Sequence, residues 1–340
     1  MEMIETRAYE HNAPPARRSL LRGLPERLAA FLYPTIVFFT CAGGLRPLHT
    51  GDFARQFIIY LSRLKNALRT GIFPFWEPLW GGGFPFASDP QTLAFYPPAW
   101  AAAALLPPDW AATALLLFHL GLGSLGAWLL AQRLFRDRRS AWFFSILYSM
   151  NACIGGHLIH LTFIQALGVF PWILVLFPEP FHISWRETLK KGMLPRFLLT
   201  ALAFAALLLT GHPQAAAMSL LCAFALFFLL GGAQALMIGA AALLLGAGLA
   251  LFPLLSFLEL AGQSARANFS FEAFTEGAMT PVGLVRFLSP LFFGGGRGII
   301  SIGPFWGDYF LHETSVYIGL FPLALALAAV ITCIRRDHPQ

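Results

Sequence analysis

The chain has 340 residues, of which 57% are hydrophobic and only 12% charged, against about 25% charged in ordinary soluble domains. This excludes a water-soluble globular enzyme. The formal charge of +6 falls in short Lys/Arg clusters between apolar runs, the positive-inside pattern of a multi-span membrane protein, so it reads as topology and not as a nucleic-acid surface.

Residues 1–27 carry Arg7, Arg17, Arg18, Arg22 and Arg27 with four glutamates and no periodicity. They read as a cytoplasmic tail, and no cleavable signal peptide is expected. Residues 28–45 (LAAFLYPTIVFFTCAGGL) are uncharged and match the roughly 17–25 residues that a spanning helix needs. They lead to a long outer loop, 46–109. In it Thr50 and Asp52 stand where helix N-caps stand, and Phe53, Phe57, Leu61, Leu64 and Leu68 come next at spacings of 4, 4, 3 and 4, the period of an amphipathic helix. Arg55, Arg63, Lys65 and Arg69 decorate its other faces, and Gly71 ends it. A helix of this kind is expected in the membrane interface with its stripe toward lipid, holding Asp52 at the membrane surface.

Further uncharged runs cover 110–131, 140–156, 161–178, 215–232, 236–257 and 316–334, with a shorter one at 197–210. The segment 93–106 is apolar but broken by Pro97 and Pro98. If it does not span, the basic clusters at 133–139 and 185–196 and the pair Arg335-Arg336 share the side of the N-terminal tail. The expected architecture is therefore all-α and integral to the membrane. It has about eight transmembrane helices in a domain over 28–334, outer loops at 46–109 and 258–315, a re-entrant or surface segment at 93–106, and cytoplasmic tails at 1–27 and 335–340. The four cysteines (Cys41, Cys153, Cys222 and Cys333) are scattered without a CxxC pair, so neither a disulfide framework nor a zinc site is indicated.

This topology gathers polar side chains on the outer face: His49, Asp52, Asp89, His157, His160, His212, Gln214, Glu259, Arg266, Glu272, Glu276, Arg297, Asp308, His312 and Glu313. The inner face keeps little beyond basic anchors, so any chemistry is expected outside. GLGSLG at 121–126 matches GxGxxG but lies inside a spanning run with no preceding strand, which favours helix packing through small residues over a dinucleotide site. The glycine runs 81–83 and 294–296 lack the Lys and Ser/Thr of a phosphate loop and read as outer-loop glycines. His157 and His160 are three apart and could share a helical face as metal ligands, but no third ligand stands nearby in sequence, so no metal site is assigned and the cofactor is left unknown. Gly156-His157 and Gly211-His212 end two runs on the same side, as a shared outer cavity requires. Asp52 is a helix cap on one reading. On the other it is a general base, taking a proton from an acceptor hydroxyl while Arg55 beside it holds a phosphate.

The ordered segments GDFARQF, LRTGIFPFWEPLWGGGFPFASDPQTLAFYPP, GHLIHLTFIQALGVFPWI, TGHPQ, ELAGQSAR and ETSVYIGLFPLAL resemble the YfhO-type bacterial membrane proteins, which are placed with the GT-C class of glycosyltransferases. The likeness covers most of 46–325. It implies a fold of that class in the bacterial cytoplasmic membrane and transfer of a sugar from a polyprenyl-phosphate carrier to a cell-envelope acceptor outside. It also implies an essential acidic residue in the first outer loop, which by position is Asp52. Asp89, Gln91, His157, His160, His212, Gln214, Arg266 and Glu313 fall on its other motifs, with Arg55 and Arg266 as candidates for the carrier phosphate. Members usually continue with further spans whereas this chain stops at Gln340, so a shortened member, a fragment or half of a split protein is expected. The implied partners are lipid-linked sugar, acceptor and membrane lipid, without nucleic acid. The competing readings are a flippase for lipid-linked sugar and a non-catalytic subunit of an envelope-assembly complex.

Overall fold

The computed structural model describes residues 23–178, 188, 192–275, 277–295, 303–307 and 310–337. The N-terminal tail as far as residue 22, part of the basic cluster 185–196, residues 338–340, Glu276, Arg297 and Asp308 lie outside the described residues, as do the side chains of Arg266, Arg335 and Arg336. Among those described, the regular elements are helical, and one isolated bridge pairs Glu77 with Phe84. The helices are α1 (Leu24–Cys41), α2 (Ile58–Thr70), α3 (Pro97–Leu105), α4 (Pro108–Phe135), α5 (Arg138–Ser149), α6 (Ala152–Gly156), α7 (Leu161–Leu176), α8 (Leu194–Leu208), α9 (Pro213–Leu249), α10 (Leu251–Gly262), α11 (Phe271–Thr275) and α12 (Leu320–Asp337). Three helical stretches, α4, Arg138–Ile159 and α9, are long and apolar enough to cross a membrane; α7, α8, α10 and Leu320–Thr332 are apolar but shorter. The described part of the chain is thus of the all-helical class, with helices that could cross a membrane.

Helix α4 is the central column, packed against α7, α5 and α1. The GLGSLG stretch makes this possible through its small residues. A Cβ added at Gly121 would lie 2.5 Å from the Phe31 carbonyl oxygen of α1, and one at Gly126 would meet Trp172 and Pro171 of α7. From the other side, Gly168 of α7 faces the His119 carbonyl oxygen, 2.5 Å from where its Cβ would be. Ser124 donates to the Ala30 carbonyl at 2.6 Å, Ser145 of α5 donates to the Ser124 carbonyl at 2.9 Å, and Tyr148 donates to the Leu167 carbonyl at 2.7 Å. Small residues and interhelical hydrogen bonds hold helices together where lipid offers no hydrophobic drive. The buried His119 is satisfied locally: Nδ1–H donates to the Leu115 carbonyl, and Nε2 accepts from the Tyr96 hydroxyl, both at 2.6 Å.

Two apolar runs are interrupted inside the lengths read from sequence. Run 140–156 breaks after Ser149, where Asn151 accepts a hydrogen bond from the Ile154 N–H at 3.0 Å and starts α6. Run 236–257 breaks at Ala250, between α9 and α10. Helix α9 is itself a hairpin. At 37 residues it would be about 56 Å long if straight, but Gly232 has φ 65° and ψ −157°, a conformation open essentially to glycine alone. The chain doubles back there, bringing Gly239 against Phe227, in keeping with separate runs at 215–232 and 236–257.

The first long loop differs from its sequence reading. Residues Phe53–Phe57 form a turn of π-helix leading into α2, and the stripe faces protein, not lipid. Phe53, Phe57, Leu61 and Leu64 are at most 2% exposed, while Leu68 at the far end is 47% exposed. Helix α2 lies against α3 and α4, so those helices take up the apolar face that the membrane interface was expected to cover; each buried ring contributes about 1.5–3 kcal/mol. The loop after α2 is closed by aromatic contacts, with Tyr60 against Trp80 and Phe86 at 5.4 and 5.5 Å and Phe73 stacked on Trp100 at 5.8 Å.

Gly168→Ala is expected to destabilise the protein by about 1–3 kcal/mol, because the added methyl meets the His119 backbone. Gly155→Ala has open space at its Cβ and should be neutral or slightly stabilising. Thermal melts of the two variants in the same detergent check the contrast.

Candidate functional site

Four chain segments that end helices or start them meet at one place. The first is the entry to the π-turn. Gly51 at φ 57° turns the chain, and the buried Phe53 and Phe57 anchor the backbone beyond it. Asp52 has helical dihedrals (φ −67°, ψ −22°) and its side chain makes no capping hydrogen bond. Of its two readings the cap is therefore absent: the Arg55 N–H, which such a cap would accept from, bonds to the Gly51 carbonyl at 3.3 Å, and the half-exposed carboxylate lies near His160, with Oδ2 3.6 Å from Nε2.

The second segment is the 3-10 turn His157–Ile159. Three residues per turn eclipse positions i and i+3, so His157 and His160 stand side by side with ring centroids 5.3 Å apart. His157 is nearly buried, stacked on Phe163 at 4.2 Å, and its Nδ1–H donates to the Cys153 carbonyl at 2.9 Å. That bond turns Nε2 toward Glu313, whose Oε2 is 3.7 Å away.

The third segment precedes α12 and carries His312 and Glu313. It docks on α6 through the Ala152 N–H, which donates to the Tyr317 carbonyl at 3.0 Å. The close approach needs Gly156, where a Cβ would sit 3.2 Å from the His312 Cα. His312 Nε2 lies 3.6 Å from Glu313 Oε1, and the His312 ring is 5.0 Å from that of His160.

The fourth is the start of α9. His212 Nδ1 accepts from the Ala215 N–H at 3.1 Å, so the neutral ring carries its proton on Nε2 and is a donor. Burial lowers the affinity of both His160 and His212 for a proton; Asp52 opposes this at His160, and the neighbouring His160 and His157 reinforce it at His212. His157, His160, His212, Gln214 and Glu313, with Phe163 and Met218, line a cavity of about 260 Å³.

Asp89 and Gln91 stand beside this cluster. Asp89 Oδ1 accepts from the Gln91 N–H at 2.9 Å, and the Gln91 side chain accepts from Gln56 at 2.5 Å. Gln56 is one turn beyond Asp52 and also reaches the Tyr60 hydroxyl at 3.3 Å. Asp89 lines an apolar groove of about 220 Å³ whose walls include Phe95, Leu209, Leu220 and Phe257. The groove and the polar cavity share the first turns of α9: Pro213, Ala216 and Ala217 face the groove, Gln214 and Ala215 the cavity.

Of the residues singled out from sequence, Asp52, His157, His160, His212, Gln214 and Glu313 thus converge, and Asp89 and Gln91 adjoin them. Arg55 is exposed on the π-turn. The Arg266 backbone sits in the 3-10 turn Ala265–Asn268, and its side chain lies outside the described residues. His312 was overlooked as a site residue although it precedes Glu313 directly. The docking of the segment before α12 brings Glu313 to His157 and His160, and one potential ligand atom from each of the three lies within 4.8 Å of the others. Comparison with protein families, with curated proteins and with solved structures finds no match to this chain.

Burial raises the Asp89 carboxyl above its usual 3.8, outweighing the hydrogen bonds from Gln91 and Tyr60 that lower it. The folded state therefore binds this proton more tightly than the unfolded chain. Stability should fall as pH rises from the unfolded value through the raised folded one. Melts between roughly pH 3.5 and 7 should show this slope in the wild type and lose it in Asp89→Asn.

Proposed function

We propose that the protein is a membrane glycosyltransferase of the GT-C type, related to the YfhO-type proteins. It would move a sugar from a polyprenyl-phosphate donor to a cell-envelope acceptor on the extracytoplasmic face of the bacterial cytoplasmic membrane. The observation that carries the reading is the carboxylate of Asp52. It is held between two buried phenylalanines and a glycine turn, makes no capping hydrogen bond, and faces His160, which lines a cavity that adjoins an apolar groove.

This chemistry has two solvent requirements. The prenyl chain of the donor stays among apolar side chains while its phosphate-sugar must reach polar groups. The groove beside Asp89 meets the first need and the cavity beside His160 the second, with the start of α9 between them. The His212 Nε2–H, the Gln214 side chain and the positive end of the α9 dipole would stabilise the departing phosphate. Asp52 would take the proton of the acceptor hydroxyl. The leaving group is already a phosphate, so no nucleotide domain is needed. The proposal includes eight spans with both termini cytoplasmic and α3 outside the count; at nine residues α3 is only about 14 Å long, against a hydrocarbon core of about 30 Å.

The test is transfer of radiolabelled sugar from polyprenyl-phosphate donors to a cell-envelope fraction, in membranes holding the wild type or Asp52→Asn. The expected result is a loss of about 10²–10⁴-fold in the variant, with insertion and melting unchanged. Equal transfer by both would remove Asp52 as the base. Binding of lipid-linked sugar without transfer by either would favour a flippase or a non-catalytic subunit.

A further inference from the structure

We infer that His157, His160 and Glu313 form a binding site for a divalent transition metal, zinc above all. One ligand atom from each lies within 4.8 Å of the other two. A tetrahedral zinc site with bonds of about 2.0–2.1 Å separates its ligand atoms by about 3.3 Å, so the widest separation allowed has about 1.5 Å to close on binding.

The imidazoles are arranged as ligands and not merely as neighbours. The His157 Nδ1–H is committed to the Cys153 carbonyl, the orientation that metal-bound histidines use to direct Nε2 at the ion. His157 is held against Phe163, and the 3-10 turn keeps His160 in step with it. Glu313 supplies the carboxylate from a segment clamped to α6 at the Ala152 N–H. Around these three, Asp52 Oδ2 lies 3.6 Å from His160 Nε2 and His312 Nε2 lies 3.6 Å from Glu313 Oε1.

Two nitrogens and one carboxylate oxygen suit zinc and its transition-metal neighbours, not magnesium or calcium, which favour all-oxygen shells. Three protein ligands beside a cavity leave a coordination position for water or for an oxygen of a bound molecule. Asp52, with Oδ2 3.6 Å from His160 Nε2, stands beside the three ligands. Metal binding here does not depend on the transferase reading and is measurable whatever reaction the protein performs.

The experiment uses the full chain in detergent, stripped with chelator, supplied with zinc chloride, desalted and assayed for metal. The variants are His160→Ala and Glu313→Gln, with Asp52 left intact. His49→Ala is the control, since the half-exposed His49 lies 3.6 Å from Asp109 in a separate ion pair. About one zinc per chain should be retained by the wild type and by His49→Ala, and zinc affinity should fall at least about tenfold in the two site variants. Cobalt(II) gives a second readout on the wild type alone, so that failure of a variant to fold leaves the inference open to refutation: visible absorption of a four-coordinate ion is expected, and zinc should displace it. Absence of retained zinc in the wild type, absence of that spectrum, or equal retention by folded site variants would each overturn the site.

Discussion

The arrangement rests on the close crossing of α4 and α7, where Gly168 sits against the His119 backbone and Gly126 against Trp172. No side chain larger than hydrogen fits at Gly168 without moving a backbone. In return, the two helices approach closely enough for Tyr148 to reach the Leu167 carbonyl from α5. This contact decides where the start of α7 lies, and hence where the His157–His160 turn points. At the other end of α7, Arg133 of α4 donates to the carbonyls of Leu174 and Phe177 at 2.6 and 2.9 Å. That guanidinium satisfies acceptors that a helix terminus leaves open and fixes the second end of the same pair.

Upon that column the loop 46–109 is seated through its apolar stripe. Burial of Phe53, Phe57, Leu61 and Leu64 against α3 and α4 ties the π-turn to the helix bundle. A single turn of π-helix changes the register of the side chains beyond it, a feature often met at functional sites. Here it leaves Asp52 outside the hydrogen-bonding duties of a helix start while its neighbours are fully committed. A carboxylate held in this way is set against the imidazole of His160 instead of the backbone.

The polar cluster is assembled from helix ends because only there does the chain leave the apolar bundle while staying attached to it. Asp52, His160, Glu313 and His212 come from four such ends, each with its own local device: a glycine turn, a 3-10 turn, a backbone clamp on α6 and a histidine cap on α9. The cap at His212 and the Cys153 bond at His157 fix the two rings in opposite ways, with Nδ1 accepting at the first and Nδ1–H donating at the second. Mixed donors and acceptors around one cavity, beside an apolar groove, suit a molecule with a charged head and a greasy tail.

The sequence by itself determined the class and most of the elements. Hydropathy runs mark the helices since few other structures bury that much apolar chain in lipid. The small residues of GLGSLG foretold close packing, and the period of Phe53, Phe57, Leu61 and Leu64 foretold a one-sided helix. Periodicity states that a stripe is covered but not by what, so only the tertiary structure could assign it to α3 and α4 and not to lipid. The same limit applies to Asp52, whose letter fits a cap and a free acid equally well. It applies most to Glu313, because a partner 153 positions beyond His160 is invisible to spacing. Only the folded chain, through Gly156 and the clamp at Ala152, decides that the three side chains meet.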